Sequence, residues 1–203
     1  MIKVKDKSAC CGCAACVQIC SKQCISLDED KEGFLYPTVN RNLCIECGKC
    51  EAVCIELHSF EVHEPLKFFA AQHFDESVQA ASSSGGIFTL LAETVINDGG
   101  VVFGARFDSD WSVVHDFTET HEGLQAFRGS KYLQSRIGNT YRQAGKFLKA
   151  GRKVLFSGTP CQIAGLKRYL HKNYENLLAV DFVCHGVPSP LVWKKYLEET
   201  IAC

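Results

Sequence analysis

The chain has 203 residues, 46% of them hydrophobic and 22% charged, and its 22 Lys+Arg against 23 Asp+Glu leave a net charge of −1. That length suits one very small domain and one of medium size, and the balanced charge, without a basic block, excludes an electrostatic case for a nucleic-acid partner. No stretch approaches the roughly 18 consecutive apolar residues of a membrane span, and thirteen cysteines without an apolar leader argue for free thiols in a reducing cytoplasm rather than a disulfide framework.

Eight of the thirteen cysteines form two runs of one spacing: Cys10, Cys13, Cys16, Cys20, then Cys44, Cys47, Cys50, Cys54. A cubane iron–sulfur cluster needs four converging thiolates. A turn with three cysteines at this spacing supplies three, and the fourth, leaving on a helix, reaches the other cluster in the two-cluster ferredoxin pattern. By that rule one 4Fe-4S cluster takes Cys10, Cys13, Cys16 and Cys54, and the other takes Cys44, Cys47, Cys50 and Cys20. Zinc ribbons place cysteines in pairs rather than in triplets with a fourth, so zinc is the weaker reading. Gly12 and Gly48 allow the close backbone approach that a cluster demands. Cys11 and Cys24 are extra thiols, read as bystanders. The fourth cysteine of each run is followed by Ser21 and Ile55 where ferredoxin runs often carry proline.

The runs repeat at an offset of 34 residues, so residues 1–60 read as one pseudo-symmetric unit. Ile25–Leu27, a polar turn and Phe34–Tyr36 predict a hairpin between the runs. Such a unit has a tiny core, for which the clusters would act as staples. Residues from about His58 to Pro65 read as a linker. Ile87, Leu90, Leu91 and Val95 predict a helix that stops at Asn97–Gly100. Val101–Phe107 and Trp111–Phe117 read as strands, and Tyr141, Ala144, Phe147 and Leu148 as a helix ended by Gly151. From Lys153 the pattern is βαβα: strand Lys153–Phe156, helix Pro160–Leu170, strand Leu177–Val183, helix Pro190–Ala202. The fold class expected is therefore α+β, a small two-cluster ferredoxin-like domain followed by an α/β domain with parallel βαβα units.

Thr159, Pro160 and Gln162 form a capping box at the head of the second-domain helix, which puts Cys161 in its first turn, where the dipole favours a thiolate or an anion. Cys184 and His185 close the next strand. Ligands collect outside the carboxyl ends of parallel strands, so both cysteines are expected at one crevice, or else are plain core residues. Ser82–Gly86 opens a helix with backbone N–H groups and hydroxyls, which suits a phosphate or serves only as an N-cap. Arg128–Tyr132 is a second basic turn, either a phosphate clamp with Tyr132 to stack or a solvated loop. His58, His63, His73, His115, His121 and His171 show no ligand spacing and read as surface or linker residues. Asp181 is a carboxylate inside an apolar strand.

Phe156–Leu166 (FSGTPCQIAGL) and Asp181–Pro190 (DFVCHGVPSP), with Ser83–Gly86 and Gly129–Ser135, resemble the family of coenzyme F420 hydrogenase/dehydrogenase beta subunits over nearly the whole chain. The resemblance implies an iron–sulfur flavoprotein oxidoreductase that relays electrons between an organic coenzyme or substrate, FAD and two 4Fe-4S clusters, with a redox protein partner or larger complex. It makes Ser83, Ser84, Gly85, Gly86, Lys131, Tyr132, Gly158 and Thr159 candidate FAD contacts, and Cys161, Cys184 and His185 candidate catalytic positions. It also implies a division into residues 1–60 (clusters), 61–70 (linker), 71–172 (FAD-associated part) and 173–203 (an incomplete C-terminal part), because family members continue further. The alternative is a ferredoxin-type carrier with no flavin and no catalysis of its own.

Overall fold

The structure, a computed structural model, describes residues 1–58 and 64–201. Part of the expected linker, His63, Ala202 and Cys203 thus lie outside the described residues. Each cysteine run wraps a loop onto a short helix, α1 (Ala15–Ile19) and α2 (Lys49–Ala52). Between them β1 (Ile25–Glu29) and β2 (Leu35–Val39) form the expected antiparallel hairpin, with Ile25 opposite Val39 and Glu29 opposite Leu35. The two runs take one backbone path. Gly12 and Glu46, two residues past the first cysteine of each run, have φ of 63° and 52°; Ala14 and Gly48, four past it, have φ of 61° and 72°. Each loop therefore places one non-glycine residue in the left-handed region, a strain of the kind that clusters at functional sites.

A short helix, α3 (Glu76–Ala80), precedes the Ser82–Gly86 turn and α4 (Ile87–Asn97). The second sheet holds β3 (Val101–Phe107), β4 (Val113–Thr118), β5 (Val154–Gly158) and β6 (Leu177–Asp181) in the order β4-β3-β5-β6. β3 and β4 are antiparallel, whereas β3, β5 and β6 run parallel. The βαβα segment does not stand alone, because β3 pairs with β5 and completes a mixed four-stranded sheet. β4 starts later than expected because Trp111 takes a left-handed turn conformation at φ 61°. β6 is the edge strand, half exposed along its length, and so it carries Asp181 at its exposed end without penalty. The remaining helices are α5 (Thr140–Lys149), α6 (Pro160–Leu170) and α7 (Pro190–Ile201).

Period-two alternation sorts the sheet's two faces. Val101, Phe103, Val154 and Phe156 point to one side, where they meet Tyr141, Ala144 and Leu148 of α5 and Ile163 and Leu166 of α6. Val102 and Leu155 point to the other, against Ala92 and Val95 of α4 and the 3₁₀ turn Glu122–Phe127. The first core also takes in Ala14, Ala15 and Val53 of the cysteine unit. α1 is therefore packed into the larger unit, and the clusters are not its sole staples. Gln18 fixes the joint: its side-chain oxygen accepts from the Arg142 N–H (3.1 Å), and its carbonyl accepts from the Arg142 guanidinium (3.1 Å). The start of α7 is tied to the hairpin turn, with the Ser189 hydroxyl (2.6 Å) and the Leu191 N–H (3.2 Å) both on the Glu32 carbonyl. The expected boundary at 172/173 falls between α6 and β6, while β5 and β6 pair in one sheet.

Candidate functional site

The cysteine sulfurs group across the two runs. The Cys16 thiol is pushed up to about 12 by burial, then by the neighbouring sulfurs of Cys10, Cys54 and Cys50. Burial, and to a lesser degree Cys54, raises Cys10, whose sulfur accepts from the Gly12 N–H. Cys54 thus stands with Cys10 and Cys16 although it ends the other run. On the opposite side, Cys20, Cys44, Cys47 and Cys50 line one cavity together with Cys24 and Gly48. Burial opposes ionisation of Cys20, but N–H groups of Cys24, Lys22 and Gln23 and the Cys24 thiol outweigh it and hold its pKa below the ordinary thiol value. Cys50 accepts from the Ile2 N–H (3.2 Å) and Cys44 from the Glu46 N–H (3.4 Å). Such N–H···S bonds favour thiolates and set cluster potentials. Cys47 is exposed, and Cys13 turns toward α6, where a Cβ on Gly165 would stand 3.2 Å from its sulfur. Among the described residues no three of His, Cys, Asp and Glu converge as on a single ion; in a cubane each thiolate binds a different iron, so its four ligands stand further apart.

The two extra thiols hydrogen-bond to cysteines of the runs. Cys24 lies 3.4 Å from Cys20, and its pKa is pushed up to about 11, first by its hydrogen bond to that sulfur. Cys11 is pushed up to about 12, first by its hydrogen bond to Cys13, and it accepts in turn from Cys161. The Thr159 hydroxyl lies 3.0 Å from Cys161 Sγ. A hydrogen-bond chain therefore runs Thr159 to Cys161 to Cys11 to Cys13. At Cys161, where the first-turn dipole favours a thiolate or an anion, the neighbouring groups act the other way. Donation to Cys11, then burial, raises this thiol well above its ordinary value, more than the first-turn dipole can offset. The capping box itself forms, with Gln162 Oε1 accepting from the Thr159 N–H at 3.0 Å. Cys184 and His185 are exposed beyond β6; the Cys184 sulfur accepts from the Gly186 N–H (3.4 Å), and no described contact joins it to Cys161.

Residues 128–136 form a strap across three regions. At one end the Ser130 N–H donates to Ser83 Oγ at 2.7 Å, so the two expected anion turns converge. Gly85 is packed beneath the preceding segment, its carbonyl accepting from the His73 N–H (2.6 Å), and Gly86 (φ 75°) heads α4 without a side-chain cap. Ser84 is exposed beside them. Lys131 turns inward instead, donating to the carbonyls of Ala126 (2.9 Å) and Arg128 (2.7 Å), and burial lowers its pKa to about 8. Tyr132 is exposed. Midway, Gln134 Nε2 donates to the Cys11 carbonyl at 3.0 Å, while its Oε1 is buried without a partner among the described residues. Beyond it, Ser135 Oγ accepts from Gln162 Nε2 (2.8 Å) and meets His115 Nδ1 (2.8 Å), and His115 Nε2 meets the Ser157 carbonyl (2.9 Å). His115 and His73 are thus buried, not surface residues. Gly158 packs here too, with Gln162 Oε1 2.9 Å from where its Cβ would be.

Residues 151–202, which hold the cap of α6 and the Cys184–His185 turn, match the family model that describes the C terminus of the coenzyme F420 hydrogenase/dehydrogenase beta chain. The resemblance to that family is thereby shown. The chain is 25% identical over 206 residues to the coenzyme F420-dependent sulfite reductase of Methanocaldococcus jannaschii, covering 96% of this chain and 30% of that protein. It is 24% identical over 196 residues to a subunit of the F(420)H(2) dehydrogenase of Methanosarcina mazei, covering 90% of this chain and 55% of that one. The chain therefore spans about a third and about half of the length of these two relatives. A chain of the F420-reducing NiFe hydrogenase complex from Methanosarcina barkeri superposes with a TM-score of 0.53 at 19% identity, over 70% of this chain and 54% of that one, and shares the α+β fold.

Proposed function

We propose that this chain is the electron-relay part of an oxidoreductase, holding two 4Fe-4S clusters and FAD and exchanging electrons between an organic coenzyme of the F420 kind and a redox protein partner in the cytoplasm. The observation that carries the reading is the crossed grouping of sulfurs, with Cys54 beside Cys10 and Cys16, and Cys20 in the cavity of Cys44, Cys47 and Cys50. The donor set fits the clusters, because thiolates and backbone N–H groups converge on loops that carry matched left-handed residues. FAD is supported at the Ser83 end, where Ser130 meets Ser83 and the buried Arg128 Nε has no hydrogen-bond partner among the described residues. FAD supplies two-electron exchange with the coenzyme and one-electron exchange with the clusters.

The chain's own residues do the rest. Ser83, Ser84 and Gly86 present hydroxyls and N–H groups to a pyrophosphate, while Lys131 braces the Ala126–Arg128 backbone that shapes the same turn. Thr159 and Cys161 feed hydrogen bonds toward Cys13 and so tune the first cluster. No helix among the described residues is long and apolar enough to cross a membrane. The flavin-free carrier is favoured by one feature, the inward turn of Lys131, which removes one expected clamp. The deciding experiment is the absorption spectrum of anaerobically purified protein with iron, sulfide and released flavin quantified. About eight irons per chain with stoichiometric FAD is expected; about eight irons and no FAD after incubation would establish the carrier instead.

A further inference from the structure

The two cysteine groups differ in where they stand. Cys16 is buried, Cys13 faces α6, and Ala14 and Ala15 lie in the shared core. Gln134 closes over the same loop through the Cys11 carbonyl. The first group is therefore walled in by the larger unit. The second opens outward. Cys47 is the one exposed cysteine of the eight in the runs, and it lines a cavity with Cys20, Cys44 and Cys50, which are recessed.

The surface round that cavity has its own character. Ile45 lines it and is 59% exposed, and Leu43, two residues earlier, is 54% exposed. Lys22, Arg41 and Lys49 are exposed in the segments that carry Cys20, Cys44 and Cys50. None of these three cations is ion-paired among the described residues. Of the carboxylates in the same segments, Glu51 is held by the terminal amine at 3.1 Å, which leaves Glu46. With three of the four sulfurs recessed, an approaching molecule meets the cations first. Unpaired surface cations around exposed apolar side chains serve electrostatic steering and short-lived docking. Electron-transfer encounters use small interfaces, below about 1,200 Å², so one loop and its flanks can form the whole contact.

We propose that the Leu43–Lys49 loop, with Lys22 and Arg41, is the docking surface for an acidic one-electron carrier protein, with Cys47 at the point of exchange. The proposal rests on the relay reading and adds to it which face the partner takes and what charge that partner bears.

The test uses the cluster-loaded full chain under anaerobic conditions. The binding probe is zinc-substituted plastocyanin, an acidic carrier made redox-inert by the metal exchange, read by broadening of its NMR signals. Zinc-substituted cytochrome c is its basic counterpart. The variant is the triple Lys22→Glu, Arg41→Glu, Lys49→Glu; the control, Lys146→Glu, Lys149→Glu, Lys194→Glu, makes the same change of net charge at exposed sites elsewhere. Iron content reports an intact fold. The parent is expected to bind the acidic probe in preference to the basic one, more weakly as salt rises, with affinity about tenfold lower in the triple variant and little changed in the control. If the triple variant loses iron, Lys22→Gln, Arg41→Gln and Lys49→Gln decide in its place, each expected to weaken binding about twofold. In a second arm the reduced chain passes one electron to each copper(II) of native plastocyanin, about tenfold more slowly in the triple variant at low salt. Equal weakening in variant and control, or preference for the basic probe, overturns the proposal and with full iron leaves the relay reading intact. Unchanged rates despite weakened binding also overturn it, by placing the exchange elsewhere. A parent chain that takes up no iron overturns both readings.

Discussion

Burial disfavours the charged form of His115, and the Ser157 carbonyl fixes the tautomer of its neutral ring. The Ser157 carbonyl can only accept, so Nε2 carries the proton and Nδ1 accepts from the Ser135 hydroxyl. Burial lowers its pKa from 6.5 to about 4, against a smaller opposing effect of the Ser157 carbonyl. Between those values the unfolded chain binds a proton that the folded chain refuses. This residue's effect on stability is therefore flat above pH 6.5 and falls as pH drops toward 4, by about 1.4 kcal/mol per pH unit inside that window. Urea unfolding at pH 7 and pH 5 should show a smaller acid loss in His115→Gln than in the parent; an equal loss would assign the slope to other groups. The signal for this residue was present in the chain, because Val113, His115 and Phe117 alternate on the inward face of β4. A polar residue in that alternation marks a buried, partnered group better than missing ligand spacing marks a surface one. The ionisation of Cys161 offered no such signal. Its helix position was legible, but its hydrogen bond to Cys11 joins residues 150 apart and cannot be read locally.

At the level of elements, α1 and α2 each carry the last cysteine of one run toward the sulfurs of the other. Cys54→Ser is therefore expected to damage the same cluster as Cys10→Ser, and Cys20→Ser the same cluster as Cys44→Ser. Electron paramagnetic resonance of the reduced single variants checks this: two spectral types, paired across the runs, are expected, whereas pairing within a run would refute the crossing. The crossing is what the spacing predicts, because a thiolate's reach is set by a few bonds and a tight turn. The sheet was less legible. Alternation of strand and helix reveals β5 and β6 as neighbours, but the β3–β5 pairing spans some fifty residues and depends on which faces bury together. The hairpin and α6 with its capping box were readable from local turn and cap chemistry; the late start of β4 was not, because Trp111 adopts a backbone conformation that few sequences advertise.

Across the whole molecule, the cysteine unit and the α/β unit share one core. Ala14, Ala15 and Val53 lie with Phe103, Tyr141 and Phe156, and Arg142 holds both ends of the Gln18 amide and carbonyl contacts. Unfolding is expected to be a single transition, with cluster absorbance and far-ultraviolet circular dichroism lost together. Gln18→Leu should lower stability by about 1 kcal/mol by stranding the part-buried Arg142 N–H, still in one transition. Two separated transitions in the parent would show the units to be independent.

The strap gives this shared body one further property. Ser130 at one end and Gln134 nearer the middle belong to one short backbone, so on the proposed relay an occupant at the Ser83 turn and an electron at the first cluster would act on the same segment. Binding and reduction linked in this way obey reciprocity. A ligand that prefers the reduced state tenfold raises that cluster's midpoint potential by about 59 mV, and the cluster's charge repays the ligand with the same tenfold. On that reading the redox poise of the iron would report what the distant turn is holding.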